Sequence, residues 1–296
     1  MFDLHGIVPP VVTPLNADES LDEAGLERQL SRLVDAGVHG MFFLGSTGEE
    51  PSLRDAERAR AIAVAARVLN GRIPLIVGTM ASSTARAIDN IRTAERQGAD
   101  AVAVTPPHYY PSGGADEQIA HYRACAAATG LPVIIYNIPS TTKVNLAAET
   151  MARIADIPNV IGLKDSSADF LHFLRILAAM KGRPDIRCLI GSPALTGAAI
   201  LYGGNGGVPG VSNVDPQTML DVYAAATAGD VVRLRELQPR VHALVKISSF
   251  GQNIVCLKTA LELMGICAAH CTAPMQPLSP EKREGVAGVL RDLDLL

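Results

Sequence analysis

Short, continuously apolar runs alternate along this chain with stretches whose apolar residues recur at helical spacing. The runs are GIVPPVVTPL (6–15), GMFFLGS (40–46), PLIVGT (74–79), AVAVTPP (101–107), PVIIYNIP (132–139), VIGLKDSS (160–167), IRCLIGS (186–192) and GGVPGVSNV (206–214). Between them lie amphipathic stretches such as DEAGLERQLSRLVDAG, SLRDAERARAIAVAARVLNG, SSTARAIDNIRTAERQG and DFLHFLRILAAMK, which begin at capping residues and end near glycine. Runs that are apolar throughout, without alternation, are what parallel strands covered on both faces require.

About eight such βα units in one chain predict an α/β fold of the (β/α)8 TIM-barrel type, with functional side chains at the C-terminal ends of the strands. The rival open sheet of the dinucleotide-binding kind calls for GxGxxG in its first βα turn, which the 6–20 stretch lacks. After Asp230 the apolar runs stop, and VVRLRELQPRVHALVKI, GQNIVCLKTALELMGI and SPEKREGVAGVLRDL read as helices. The expected organisation is therefore a catalytic barrel over residues 1–229 and a helical extension over 230–296, packed on it and not independent. PSGGADE (111–117) reads as a loop near the site.

Composition narrows the functional classes. The 296 residues are 48% hydrophobic and carry 26 basic against 30 acidic residues, a net charge of −4 with no block of one sign. Nothing in that balance suits a nucleic acid or a membrane surface. The N-terminal stretch has no basic flank and is broken by prolines, unlike a signal peptide. Five scattered cysteines, Cys125, Cys188, Cys256, Cys267 and Cys271, form no CxxC pair and fit a reduced, cytoplasmic protein. The seven histidines show no HxH or HExxH spacing, so no metal site is expected and a metal-dependent lyase is disfavoured.

The candidate chemistry starts at two polar side chains that end apolar runs. Lys164 has two readings: a stem lying on apolar surface with its ammonium reaching water or a nearby carboxylate such as Asp165, or an amine kept neutral by apolar surroundings and able to attack a carbonyl. Tyr136, at the end of the preceding run, is either a buried phenol satisfied by backbone or a proton shuttle for that amine. Asn137 beside it reads as a structural hydrogen-bonding residue. In LGSTGEEPSL (44–53), backbone N–H groups with the hydroxyls of Ser46 and Thr47 would cradle a small carboxylate. The same turn equally suits a tight turn and helix cap. Glu49 and Glu50 read as structural acids at a helix start.

GSTGE (45–49), YNIP (136–139) and GLKDSS (162–167), in this order and spacing, resemble the dihydrodipicolinate synthase and N-acetylneuraminate lyase family over nearly the whole chain. The resemblance implies a barrel with C-terminal helices, a homotetramer, and a pyruvate-dependent lysine-imine mechanism without a separate cofactor. It puts the imine on Lys164, acid–base work on Tyr136, the 2-oxo acid carboxylate on Ser46 and Thr47, and Val208 in the pyruvate pocket.

Two positions depart from the synthases. Thr141 stands where those enzymes carry an arginine that clamps the semialdehyde carboxylate, and threonine cannot make that bidentate charged contact. His108, or Tyr109 with a one-residue shift, stands where they carry a relay tyrosine. Serine first in GSTGE and KDSS after the lysine look more like the aldolases of 2-keto-3-deoxy sugar acids and the N-acetylneuraminate lyases than like the synthases. GSPALTG (191–197) offers only Ser192 and Thr196 for sugar hydroxyls. The expectation is an aldolase or lyase joining or cleaving pyruvate and an aldehyde. The alternatives are 4-hydroxy-tetrahydrodipicolinate synthase, a keto-deoxy acid dehydratase, and a non-catalytic 2-oxo acid binding protein.

Overall fold

A computed structural model describes residues 3–110 and 112–296; Pro111, at the head of the expected 111–117 loop, lies outside them. Among the described residues, eight strands run parallel in the order β1-β8-β7-β6-β5-β4-β3-β2. They are β1 (Gly6–Ile7), β2 (Met41–Phe43), β3 (Leu75–Gly78), β4 (Ala101–Val104), β5 (Val133–Asn137), β6 (Val160–Asp165), β7 (Arg187–Ile190) and β8 (Gly206–Gly207). The remaining seam, between the first and second strands, is closed just past β1, where Val11 N–H donates to Phe42 O and Phe42 N–H to Pro9 O, both at 2.9 Å. The sheet thus curls into the expected (β/α)8 barrel.

The strands are shorter than the apolar runs that announced them, most of all at the two ends. In 6–15 the prolines at 9 and 10 carry no N–H for a ladder, and pairing beyond Ile7 is reduced to the single bridge at Pro10. In 206–214 the chain leaves the sheet at Val208 and turns through Gly210–Asn213. Both surplus segments stay buried, which is why they look like strand.

Within each strand, alternate residues serve two cores. Phe42, Ile76, Ala101, Ala103, Ile134, Tyr136, Leu189 and Val208 fill the barrel interior. Their neighbours Met41, Phe43, Leu75, Val77, Val102, Val104, Val133, Ile135 and Leu163 pack outward against the helices. Those helices are α1 (Glu23–Asp35), α2 (Asp55–Leu69), α3 (Thr84–Arg96), α4 (Ala115–Ala127), the single turn α5 (Pro139–Thr142), α6 (Ala148–Ala155), α7 (Phe170–Ala179), α8 (Thr196–Leu201) and α9 (Pro216–Thr227). Caps fix several starts: Asp22, Ser83, Asp169 and Asp215 accept from the N–H three residues on.

The chain ends in α10 (Val231–Lys246), α11 (Asn253–Leu263) and α12 (Pro280–Asp292). Their apolar faces share a core with α9 and with Ile7 and Val12 of the barrel's first segment. Among the described residues, no helix is long and apolar enough to cross a membrane.

Candidate active site

Strand register brings Lys164 and Tyr136 together: they are directly paired residues of β6 and β5. Alternation turns both side chains into the barrel, while Asp165 faces away and is held by Asn137 (2.7 Å) and Ser167 (2.6 Å). The reading in which Lys164 leans on Asp165 therefore does not describe this fold. Asn137 is structural, as expected: its amide also donates to Asn145, and its carbonyl accepts from Leu146 N–H.

Lys164 is 4% exposed, and its Nζ lies 4.0 Å from the ring centre of Phe42 and 4.1 Å from that of Tyr136. Burial, with no carboxylate to offset it, pulls its pKa down to about 7. A large share of the amine is thus unprotonated near neutral pH, the state a carbonyl-attacking nucleophile needs. Aromatic faces still favour the remaining cation, so the site can hold either charge state of a nitrogen.

The Tyr136 hydroxyl lies 3.2 Å from Ser46 Oγ. Burial pushes its pKa up to about 12, against the opposing hydrogen bonds of Ser46 and Ser166. It is a phenol that rests protonated and has two hydroxyl neighbours, Ser46 and Ser166, suited to passing a proton rather than holding a charge.

Ser46 and Thr47 open a 3₁₀ turn that follows β2 across Leu44 and Gly45. Within it the N–H groups of Gly48, Glu49 and Glu50 return to carbonyls of Gly45 and Ser46, leaving those of Ser46 and Thr47 outside the turn's own bonds. Glu49 and Glu50 are both buried and point away from the cavity. Glu49 is ion-paired with Lys258 and Glu50 with Arg58. Burial raises the Glu50 pKa to about 8 despite Arg58.

These groups line a cavity of about 320 Å³ at the C-terminal ends of the strands, with Ser46, Thr47, Tyr136, Lys164, Ser166 and Val208 on its wall. Larger hollows of about 540 and 670 Å³ sit at the opposite end, around Arg187 and Asn205, where no such constellation gathers. Several of the residues named from the sequence stand off the cavity wall. His108 is half-buried on the loop after β4, and burial lowers its pKa. Thr141 is exposed on α5, with its hydroxyl turned back to Ile138 O at 3.2 Å. Tyr109 is 80% exposed beside Tyr110. Ser192 is likewise off the wall, and Thr196 is buried and donates to the Ser192 carbonyl.

The cavity also includes residues that sequence reasoning passed over. Ser166 was legible in principle, since it follows Lys164 by two along the chain and shares its inward parity. Val245, Ser248 and Asn253 come from α10, α11 and the turn between them, and no local signal marks which side of those helices meets the barrel mouth. Ser248 Oγ donates to Asn253 Oδ1 at 2.6 Å, which sets a hydrogen-bonded polar pair beside Val245 on this wall. Among the described residues, no cluster of His, Cys, Asp and Glu could hold a metal ion.

The profile of the dihydrodipicolinate synthetase family matches residues 3–293. An uncharacterised DapA-like lyase of Halobacterium salinarum is 38% identical over 293 residues, 99% of this chain and 95% of that protein. The 4-hydroxy-tetrahydrodipicolinate synthase of Thermomicrobium roseum is 38% identical over 287 residues, 97% and 94% of the two chains. The solved dihydrodipicolinate synthase of Bacteroides thetaiotaomicron superposes with a TM-score of 0.93 at 37% identity, covering 98% of each chain. The chain therefore belongs to the dihydrodipicolinate synthetase family, whose members are class I lyases working through a lysine imine.

Proposed function

We propose that the chain is a pyruvate-dependent aldolase acting on a 2-keto-3-deoxy sugar acid or a related 2-oxo acid, with Lys164 as the imine-forming residue. The observation that carries this reading is the amine of Lys164 enclosed by Phe42 and Tyr136, its pKa drawn down to about 7 at the barrel mouth. In the cleavage direction the neutral amine attacks the C2 carbonyl, and Tyr136 passes protons until water leaves and the protonated imine forms. Tyr136, left as a transient phenolate once its own proton has gone to the departing water, then takes the proton of the C4 hydroxyl. The C3–C4 bond breaks toward the imine, its electron pair giving an enamine, and an aldehyde departs. Protonation at C3 and attack of water at C2 release pyruvate and restore the amine; condensation is the reverse.

Ser46 and Thr47 supply hydroxyl and N–H donors for the 2-oxo acid carboxylate, and Val208 forms the apolar side of the pyruvate pocket. His108 and Thr141 stand off the cavity wall, and family likeness alone assigns them to the aldehyde portion of the substrate. A homotetramer within the cytoplasm is part of the same proposal and rests on family likeness.

A second reading, 4-hydroxy-tetrahydrodipicolinate synthase, is favoured by the names of relatives such as that of T. roseum. Against it stands Thr141, which offers no cation for a semialdehyde carboxylate. The test is intact mass and peptide mapping after incubation with pyruvate and borohydride, in wild type and Lys164→Ala. The expected result is a reduced pyruvate adduct on Lys164 that the variant lacks. Turnover of keto-deoxy acids but not of aspartate semialdehyde then separates the two activities, and a folded wild type without any adduct overturns both.

A further inference from the structure

The GSTGE turn is bolted to the far end of the chain. Glu49 takes the left-handed conformation, φ 59°, between the short turns Ser46–Gly48 and Glu50–Ser52. Its carboxylate is sealed from solvent, with Oε1 2.5 Å from Nζ of the equally sealed Lys258 on α11. Oε2 accepts from the N–H and the hydroxyl of Thr272, at 2.7 and 2.9 Å. Lys258 also donates to His270 O at 2.6 Å. One carboxylate, two residues past Thr47, thus joins the loop after β2 to α11 and to the segment behind it.

A buried ion pair is a poor source of net stability, and a non-glycine residue at positive φ adds strain. What this arrangement does provide is a fixed attitude for the turn, which Thr13 pins on another side by donating to Gly48 O at 2.7 Å. We propose that Glu49 and Lys258 are positioning residues for carboxylate capture: with Thr272 they hold the Ser46–Gly48 turn so that its donors meet the substrate carboxylate. Lys258 has a second effect, cancelling a negative charge that would otherwise oppose that carboxylate. The helices beyond the barrel are therefore part of the anion site, although they add no charged group to its wall. The inference rests on Ser46 and Thr47 being the carboxylate holders.

The test uses Lys258→Met, Glu49→Gln and the double variant, each checked for folding by circular dichroism. Half-saturation of borohydride trapping is measured with pyruvate and with methyl pyruvate, which carries the same carbonyl without the charge. In Lys258→Met the pyruvate value should rise about tenfold or more, a loss of about 1.4 kcal/mol. Methyl pyruvate should move less than about twofold, and the charge-neutral double variant should recover part of the loss. Where Lys258→Met fails to fold, the double variant and Glu49→Gln carry the comparison. An unchanged pyruvate value, or equal losses for both probes, overturns the proposal. Amide exchange gives a readout independent of the imine: peptides spanning 44–53 and 266–275 should lose protection together in Lys258→Met and in the double variant. If the wild type traps neither probe, the assignment of Lys164 fails. Exchange then decides alone, and unaltered protection at 44–53 overturns the positioning role.

Discussion

Lys164 is an ammonium-forming group set where an ammonium is poorly solvated, and that placement has a measurable consequence for the folded state. Its pKa falls from 10.5 to about 7 on folding, so between those values the unfolded chain holds a proton that the folded chain has released. Wild-type stability should therefore rise with pH across that window. Lys164→Met, similar in length and uncharged, should abolish imine formation and raise stability by a few kcal/mol at pH 7, with the gain shrinking toward pH 10.5. Urea denaturation of both proteins at pH 7 and pH 9.5 checks this, and a less stable variant at pH 7 would count against it. At this scale the sequence was informative where polarity interrupts an apolar run, as at Lys164 and Tyr136. It was less so at His108, on a loop, and at Thr141, on the single turn α5, because neither position carries the strand parity that says which way a side chain faces.

The strands repeat one device: alternate side chains divide between an inner and an outer core, and a polar residue at inward parity meets the cavity. Legibility of the elements followed from that device. The runs at 101–107, 132–139 and 160–167 contain strands, whereas those at 6–15 and 206–214 give ladders of only two residues each. Apolar content reports burial, and both surplus segments are buried outside the strand ladders, so hydrophobicity alone could not trim them. The β1–β8 seam has its own requirement. A Cβ on Gly206 would fall 2.1 Å from Gly6 O, too close for the two backbones to pair. Gly206→Ala should destabilise the protein by about 2 to 4 kcal/mol, read from the midpoint of urea unfolding. An unchanged midpoint would mean that the seam yields more readily than this geometry allows.

The whole molecule behaves as one unit if its two ends share a core, and Ile7 and Val12 do pack with α9–α12. Arg32 and Gln29 of α1 bind the Asn213 carbonyl, and Asn213 in turn donates to Pro10 O, which laces the same region with hydrogen bonds. Unfolding in urea should accordingly show one transition, with tyrosine emission and far-ultraviolet dichroism coinciding; the chain has no tryptophan to confuse the signal. Separate transitions would mark the 230–296 helices as autonomous. Those helices were legible from their periodicity, but their share of the cavity was not. Val245, Ser248 and Asn253 reach the barrel mouth through tertiary docking, which leaves no trace in local spacing. The direct pairing of Tyr136 with Lys164 in adjacent strands also has a bearing on descent. Two side chains locked by one ladder cannot drift apart, whereas the loops and the helical wall around the mouth are free to vary. A lineage built on this scaffold can exchange one aldehyde for another and inherit its carbon–carbon chemistry intact, and directed evolution can be confined to the same rim.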